Sequence, residues 1–188
     1  MQAGKEVFEE DGLLDARIAS ITDRAGVSYG SFYHYFDSKE ALFREVAAEV
    51  GERLRAPVDE VIYARNSDVS PQDRIREAMR RHFETYREEA GLLRAVEQAE
   101  RFDEQVGASR ALWRRKDTSE VADSIRLLQR RGLADAALDP DVAAAALGAM
   151  TYRFAELWLG HGAIECDFET GVDTVTRLFV NALGLDSA

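Results

Sequence analysis

At 188 residues the chain has room for one domain, or for a small domain joined to a medium one. Its 46% hydrophobic content permits a folded core, while a formal net charge of −11 excludes a polycationic nucleic-acid binder. The single cysteine, Cys166, excludes an internal disulfide framework and fits a reducing cytoplasm, and neither a run of about 18 apolar residues nor a signal-peptide pattern is present.

Proline is scarce, alanine and leucine are common, and Val and Ile do not alternate, so the chain reads as all-α with about nine helices. A first helix with Val7 and Phe8 facing inward is expected to end at Gly12. A second covers Arg17 to Arg24, and Gly26 suits the left-handed residue that closes it. Ser28 caps a third. Phe32 and Phe36 are four apart and anchor that helix, while Tyr29 and Tyr33 share a different face. Two short helices joined at a tight turn form a helix-turn-helix pattern over Ile21 to Lys39. The face of Tyr29 and Tyr33, flanked by Ser28, Gly30, Ser31 and His34, suits phosphates and base edges. Ser28 reads as a cap first and a phosphate donor second. Lys39, at a helix start, is placed for a phosphate. Tyr35 is open between packing inward and facing out.

Asp37 or Ser38 caps a long fourth helix, and Asp37 with Glu40 gives a capping-box-like pair. It carries Leu42, Phe43, Val46, Val50 and Leu54, and Pro57 is expected to kink or interrupt it near Ala56. Asn66 to Ser70 reads as a loop and hinge. Ser70-Pro71 opens a fifth helix, with Ile75, Met79, Phe83 and Tyr86 inward, ending near Ala90. Gly91 separates a sixth, Leu92 to about Gln105. After a weak break at Gly107 a seventh runs to Arg131, closed by Gly132. Asp139-Pro140 starts an eighth that ends at Gly160, and Asp167 caps a ninth that ends near Gly184. Apolar residues cover more than one face of the last helix, so one face suits the body of the protein and another a second subunit. Small residues on the eighth helix permit close helix approach.

Ala25-Gly26-Val27-Ser28, Tyr29-Gly30, Tyr33-His34-Tyr35-Phe36 and Ser38-Lys39-Glu40-Ala41-Leu42 resemble successive pieces of the signature of the TetR family of transcriptional regulators. The resemblance covers roughly residues 3–46. Arg17 stands where that family usually has a Thr or Ser cap, and Thr22 where it usually has Ala. The resemblance implies a three-helix DNA-binding domain over residues 1–46 and a helical ligand-binding and dimerisation domain over residues 47–188. It implies a homodimer on a palindromic operator in double-stranded DNA, with recognition helices about 34–36 Å apart. The DNA-contacting set is then Arg17, Ser28, Tyr29, Gly30, Ser31, Tyr33, His34 and Lys39. The last two helices pair across a two-fold axis through Ala145, Ala149, Val172, Val175, Leu178, Phe179 and Ala182. A small apolar or aromatic effector sits among Met79, His82, Phe83, Tyr86, Phe102, Trp113, Met150, Phe154 and Trp158. His82, Tyr152, Arg153 and Glu156 supply polar groups, with simple core packing and an Arg153–Glu156 ion pair as the competing readings. Because Met1 to Phe8 resembles the middle of the family's first helix, a basic arm before residue 1 is an expectation.

Other classes find less support. His34, His82 and His161 are scattered, no metal spacing or Gly-rich phosphate loop appears, and no cofactor is called for. The resemblance implies instead a cytoplasmic, non-enzymatic repressor, with a ligand-responsive activator or a helical adaptor that has lost DNA binding as alternatives. The acid lies mainly outside the helix-turn-helix, which holds Arg17, Arg24 and Lys39 against Asp23 and Asp37.

Overall fold

The computed structural model describes residues 1–62 and 69–185, with the side chains of residues 56–62 outside the description. The described residues form nine α-helices and no strand: α1 Gln2–Asp15, α2 Ile18–Ala25, α3 Tyr29–Phe32, α4 Lys39–Ile62, α5 Pro71–Glu88, α6 Ala90–Ala99, α7 Glu104–Arg130, α8 Pro140–Ala155 and α9 Phe168–Leu183. One π-turn, Glu156–Gly160, continues α8. No described helix is long and apolar enough to cross a membrane.

Most starts are set by local caps. Ser28 Oγ accepts from the Ser31 N–H at 3.2 Å, Ser38 Oγ from Ala41 at 3.1 Å, and Ser70 Oγ from Asp73 at 3.1 Å. Asp139 accepts from Asp141 and Val142, and Asp167 from Thr170. At the α4 start Ser38, not Asp37, is the cap. Gly12 (φ 71°) breaks α1 without ending it, and one more turn follows to Asp15. Gly91 and Gly107 lie inside α6 and α7 instead of between helices. A Cβ on Gly91 would stand 3.2 Å from Glu9 Cγ, so this glycine serves close approach to α1. α4 runs uninterrupted past Ala56 and Pro57, and residues 63–68, with most of the expected hinge, lie outside the description.

The chain divides into two compact units. The first unit is Met1–Arg53 with Glu88–Leu112. Phe8 and Phe43 meet edge-on at 4.9 Å in its core, with Leu42, Val46, Val50, Leu92 and Val96 buried around them. Helix α1 packs along α6. A buried carboxylate, Glu89, is held by Lys5 at 2.7 Å and by Arg53.

The second unit is Leu54–Arg87 with Trp113–Ala188. Phe83, Phe154, Trp158 and Phe168 form an aromatic cluster with ring centroids 5.2–5.9 Å apart. The π-turn carries Trp158 into it, and its indole N–H donates to the Cys166 carbonyl at 3.3 Å. Gly171 lies flat against this indole: a Cβ there would come within 2.8 Å of Trp158 Cζ2.

Candidate nucleic-acid interface and ligand cavity

The turn between α2 and α3 is fixed by backbone geometry. Gly26 adopts the left-handed conformation (φ 68°, ψ 29°), and the Val27 N–H donates to the Thr22 carbonyl at 3.0 Å. Thr22 is buried, and its hydroxyl donates back to the Ile18 and Ala19 carbonyls, which is how a polar residue fits there. Helix α3 is a single turn. Phe32 is buried and packs on Phe36 at 5.7 Å. The other side of the turn is open: Tyr29 is 53% exposed, Tyr33 49% and Tyr35 79%. Tyr35 therefore faces out. Gly30 and His34 are exposed, and Ser31 is half-buried.

The two exposed tyrosines are mutually ordered. Their rings meet at 5.7 Å and their hydroxyl oxygens at 3.3 Å. This hydrogen bond raises the Tyr33 phenol above its ordinary pKa. Ser28 and Ser31 hydroxyls are 2.8 Å apart. Arg17 precedes α2 in extended conformation, exposed, with no side-chain cap bond. Arg24 is different. It forms a two-pronged pair with Glu10 at 2.9 and 2.7 Å, so it is spent internally. Lys39 Nζ donates to the Leu14 and Ala16 carbonyls at 2.8 and 2.9 Å, closing the end of α1 onto the start of α4. An ammonium has three donors, so one is left for a phosphate.

The second unit holds a cavity of about 240 Å³ that is partly open to the surface beside the exposed Ala145 and Ala149. Its wall is built by Leu54 of α4, Ile75, Ala78, Met79 and His82 of α5, Arg114 to Leu128 along α7, Ala144 to Tyr152 along α8, and Phe179 and Leu183 of α9. Of the nine sequence-derived pocket residues, Met79 and His82 line it. Phe83, Phe154 and Trp158 instead fill the aromatic cluster, and Tyr86 lies beside His82 with centroids 6.4 Å apart. Trp113 and Met150 are half-buried outside the lining, and Phe102 is exposed in the other unit. Among the polar candidates Tyr152 lines the cavity, whereas Arg153 and Glu156 pair with each other at 2.5 Å. Thr118, Val121, Ile125 and Leu128 of α7 also line the cavity: the spacing of the last three, with Leu112, predicts an inward face but not a cavity wall, and Leu112 is instead 59% exposed.

His82 is the unusual group. It is 6% exposed, and burial pushes its pKa down to about 4, opposed only by a backbone hydrogen bond to Leu54. Its Nε2 has no hydrogen-bond partner. Cys166 carries no sign of nucleophilic tuning, since burial, with the Asp167 charge, pushes its thiol up.

The sequence-derived dimer set also divides. Val172, Val175 and Phe179 are buried within the protomer's own second unit, because α9 turns that stripe inward. Leu178, Ala182, Ala145 and Ala149 are exposed, and Val142 and Ala146 extend the α8 stripe with the same i, i+3, i+4, i+7 spacing.

The described residues thus present a helix-turn-helix with an outward tyrosine face and a helical unit holding an apolar cavity. Residues 1–46 match the family model of bacterial regulatory proteins, tetR family. The chain is 38% identical over 55 residues to the HTH-type transcriptional regulator YdgC of Bacillus subtilis, a match covering 29% of this chain and 28% of YdgC. The aligned part thus spans under a third of that relative. The fold extends further. A TetR-family transcriptional regulator from Mesorhizobium loti superposes with a TM-score of 0.78 at 21% identity, covering 96% of this chain and 92% of the other. FadR of Bacillus subtilis, solved with stearoyl-CoA, gives 0.78 at 16% identity, covering 96% of both chains.

Proposed function

We propose that the chain is a homodimeric transcriptional repressor that binds a palindromic operator and leaves it when a small apolar or aromatic molecule fills the cavity. The observation that carries the DNA reading is the ordered, outward pair Tyr29 and Tyr33 on the capped turn after Gly26. Arg17, Ser28, Gly30, Ser31, His34 and the third donor of Lys39 complete the DNA-facing set. The cavity's apolar wall favours the effector class, and FadR, which shares the fold, was solved with a long-chain acyl thioester. Helix α4 is the lever: its residues 39–53 fall in the first unit, and Leu54 of the same helix lines the cavity. An effector acts only if it binds the two operator-competent and incompetent arrangements unequally. A function on DNA places the protein in the cytoplasm. The test is a mobility shift on a duplex selected from a random pool, titrated with apolar candidate effectors. Operator binding undiminished by an effector that demonstrably fills the cavity would remove the lever, and no sequence-specific duplex at all would favour the adaptor reading.

The dimer is carried by the exposed stripe Val142, Ala145, Ala146 and Ala149 with Leu178 and Ala182. Leu178 is 47% exposed, so a charge there leaves the protomer core intact. Leu178→Glu should weaken dimerisation roughly 10- to 100-fold, the equivalent of about 1–3 kcal/mol of lost apolar burial plus a buried charge. Sedimentation velocity across a concentration series reads this directly, and an unchanged dimer would exclude this face.

A further inference from the structure

His82 lines the cavity with a buried nitrogen that nothing in the protein satisfies. Its backbone partner is the Leu54 carbonyl, an acceptor, so the other ring nitrogen, Nδ1, carries the proton. That arrangement favours the Nδ1–H tautomer, in which the unpartnered Nε2 presents a lone pair. Burial keeps the ring neutral at physiological pH, so Nε2 does not become a donor. The surroundings are aromatic and apolar, with Phe83, Tyr86 and Tyr152 ring centroids 5.6–6.4 Å from the imidazole. Arg114 and Asp117 bring one charge of each sign to the wall, and both, like Tyr152, have interactions of their own. An acceptor left unpaired in such surroundings is destabilising, and a matching donor removes that cost.

We infer that the effector is a neutral, mostly apolar molecule that donates one hydroxyl or N–H hydrogen to His82 Nε2, as a phenol or an alcohol on a ring system does. This rests on the reading of the cavity as the effector site. A carboxylate or phosphate fits poorly, because it would place anionic lone pairs against the imidazole lone pair. The same ring ties the bound donor to the α4 backbone through Leu54.

Three probes of matched shape separate the possibilities: 2-naphthol, which donates; 2-methoxynaphthalene, which only accepts; and 2-naphthoate, an anion. Calorimetric titration of the full chain at neutral pH should rank 2-naphthol at least about tenfold tighter than 2-methoxynaphthalene, with 2-naphthoate weakest. Long-range proton–nitrogen NMR of the three histidines should show the His82 Nε2 resonance moving upfield with 2-naphthol only. In His82→Phe the preference for the donor should shrink to within about twofold. Equal or tighter binding of the methoxy compound, tightest binding of the naphthoate, or an unmoved His82 Nε2 with bound naphthol would overturn the inference and leave the cavity as an effector site. Failure of all three to bind would overturn the effector-site reading itself, and the inference with it. Should His82→Phe not fold, the ranking and the nitrogen resonance of the wild-type protein decide.

Discussion

Alanine at Tyr33 and Lys39 together should lower affinity for a selected operator roughly 30- to 1000-fold, the equivalent of losing two contacts of about 1–2 kcal/mol each. The two residues fail for different reasons. Tyr33 is half-exposed and held by Tyr29 and by an edge-on contact with Phe32 at 5.4 Å, so its removal leaves the backbone hydrogen bonds of the turn in place. Lys39 closes α1 onto α4 through two carbonyls, so its removal also unsatisfies backbone. Lys39→Ala alone should therefore cost about 1–3 kcal/mol of stability, while Tyr33→Ala stays within about 0.5 kcal/mol of wild type. Fluorescence anisotropy on the selected duplex and urea unfolding separate the effects. A folded double variant that keeps affinity within threefold of wild type would exclude the α3 face as the DNA reader.

The second large effect concerns pH. The folded-state pKa of His82 is lowered from its ordinary 6.5 to about 4, so the unfolded chain takes up the proton first as pH falls. The stability contribution of the neutral buried ring is intact above pH 6.5 and is lost progressively as pH falls from 6.5 towards 4. Between pH 7 and pH 5 the loss should be about 2 kcal/mol, at 1.36 kcal/mol per pKa unit of separation. Carboxylates titrate near the lower end of this range too, so the informative quantity is the difference from His82→Phe, which lacks the imidazole and keeps an aromatic ring. Parallel stability–pH curves for the two proteins would show that His82 does not control acid sensitivity.

The sequence was most legible where structure is decided within four residues. The caps at Ser28, Ser70, Asp139 and Asp167 and the left-handed turn at Gly26 each act on their own neighbours. Gly91 was misleading because a glycine's reason for being in a helix can lie on another helix, here at Glu9. The cavity walls are not legible for a related reason. Of the two readings open for the aromatic residues, core packing describes Phe83, Phe154 and Trp158, which are large enough to fill space with one another. Space remains where α8 offers Ala144, Ala145, Gly148 and Ala149. Small residues at helical spacing signal room, and aromatic residues signal its absence. The apolar breadth of α9 did indicate two faces. Which side turned inward depended on packing that spacing alone does not orient.

The internal pairing of basic residues in the first unit has a thermodynamic consequence for any DNA complex. Residues 1–46 hold five cations, Lys5, Arg17, Arg24, Lys39 and Arg44. Three of them already neutralise carboxylates within that unit: Lys5 on Glu89, Arg24 on Glu10 and Arg44 on Asp103. Only Arg17 and Lys39 are without a carboxylate partner among the described residues, which makes four phosphate-neutralising groups in a dimer. If these residues alone supply the phosphate contacts of the proposed dimer, few counterions are released from DNA on binding, and log K should fall with log salt with a slope of only about −4, where ten engaged cations would give about −9. An operator would then be held by shape, tyrosine hydroxyls and neutral donors more than by charge, and a steeper measured slope would report cations outside residues 1–46.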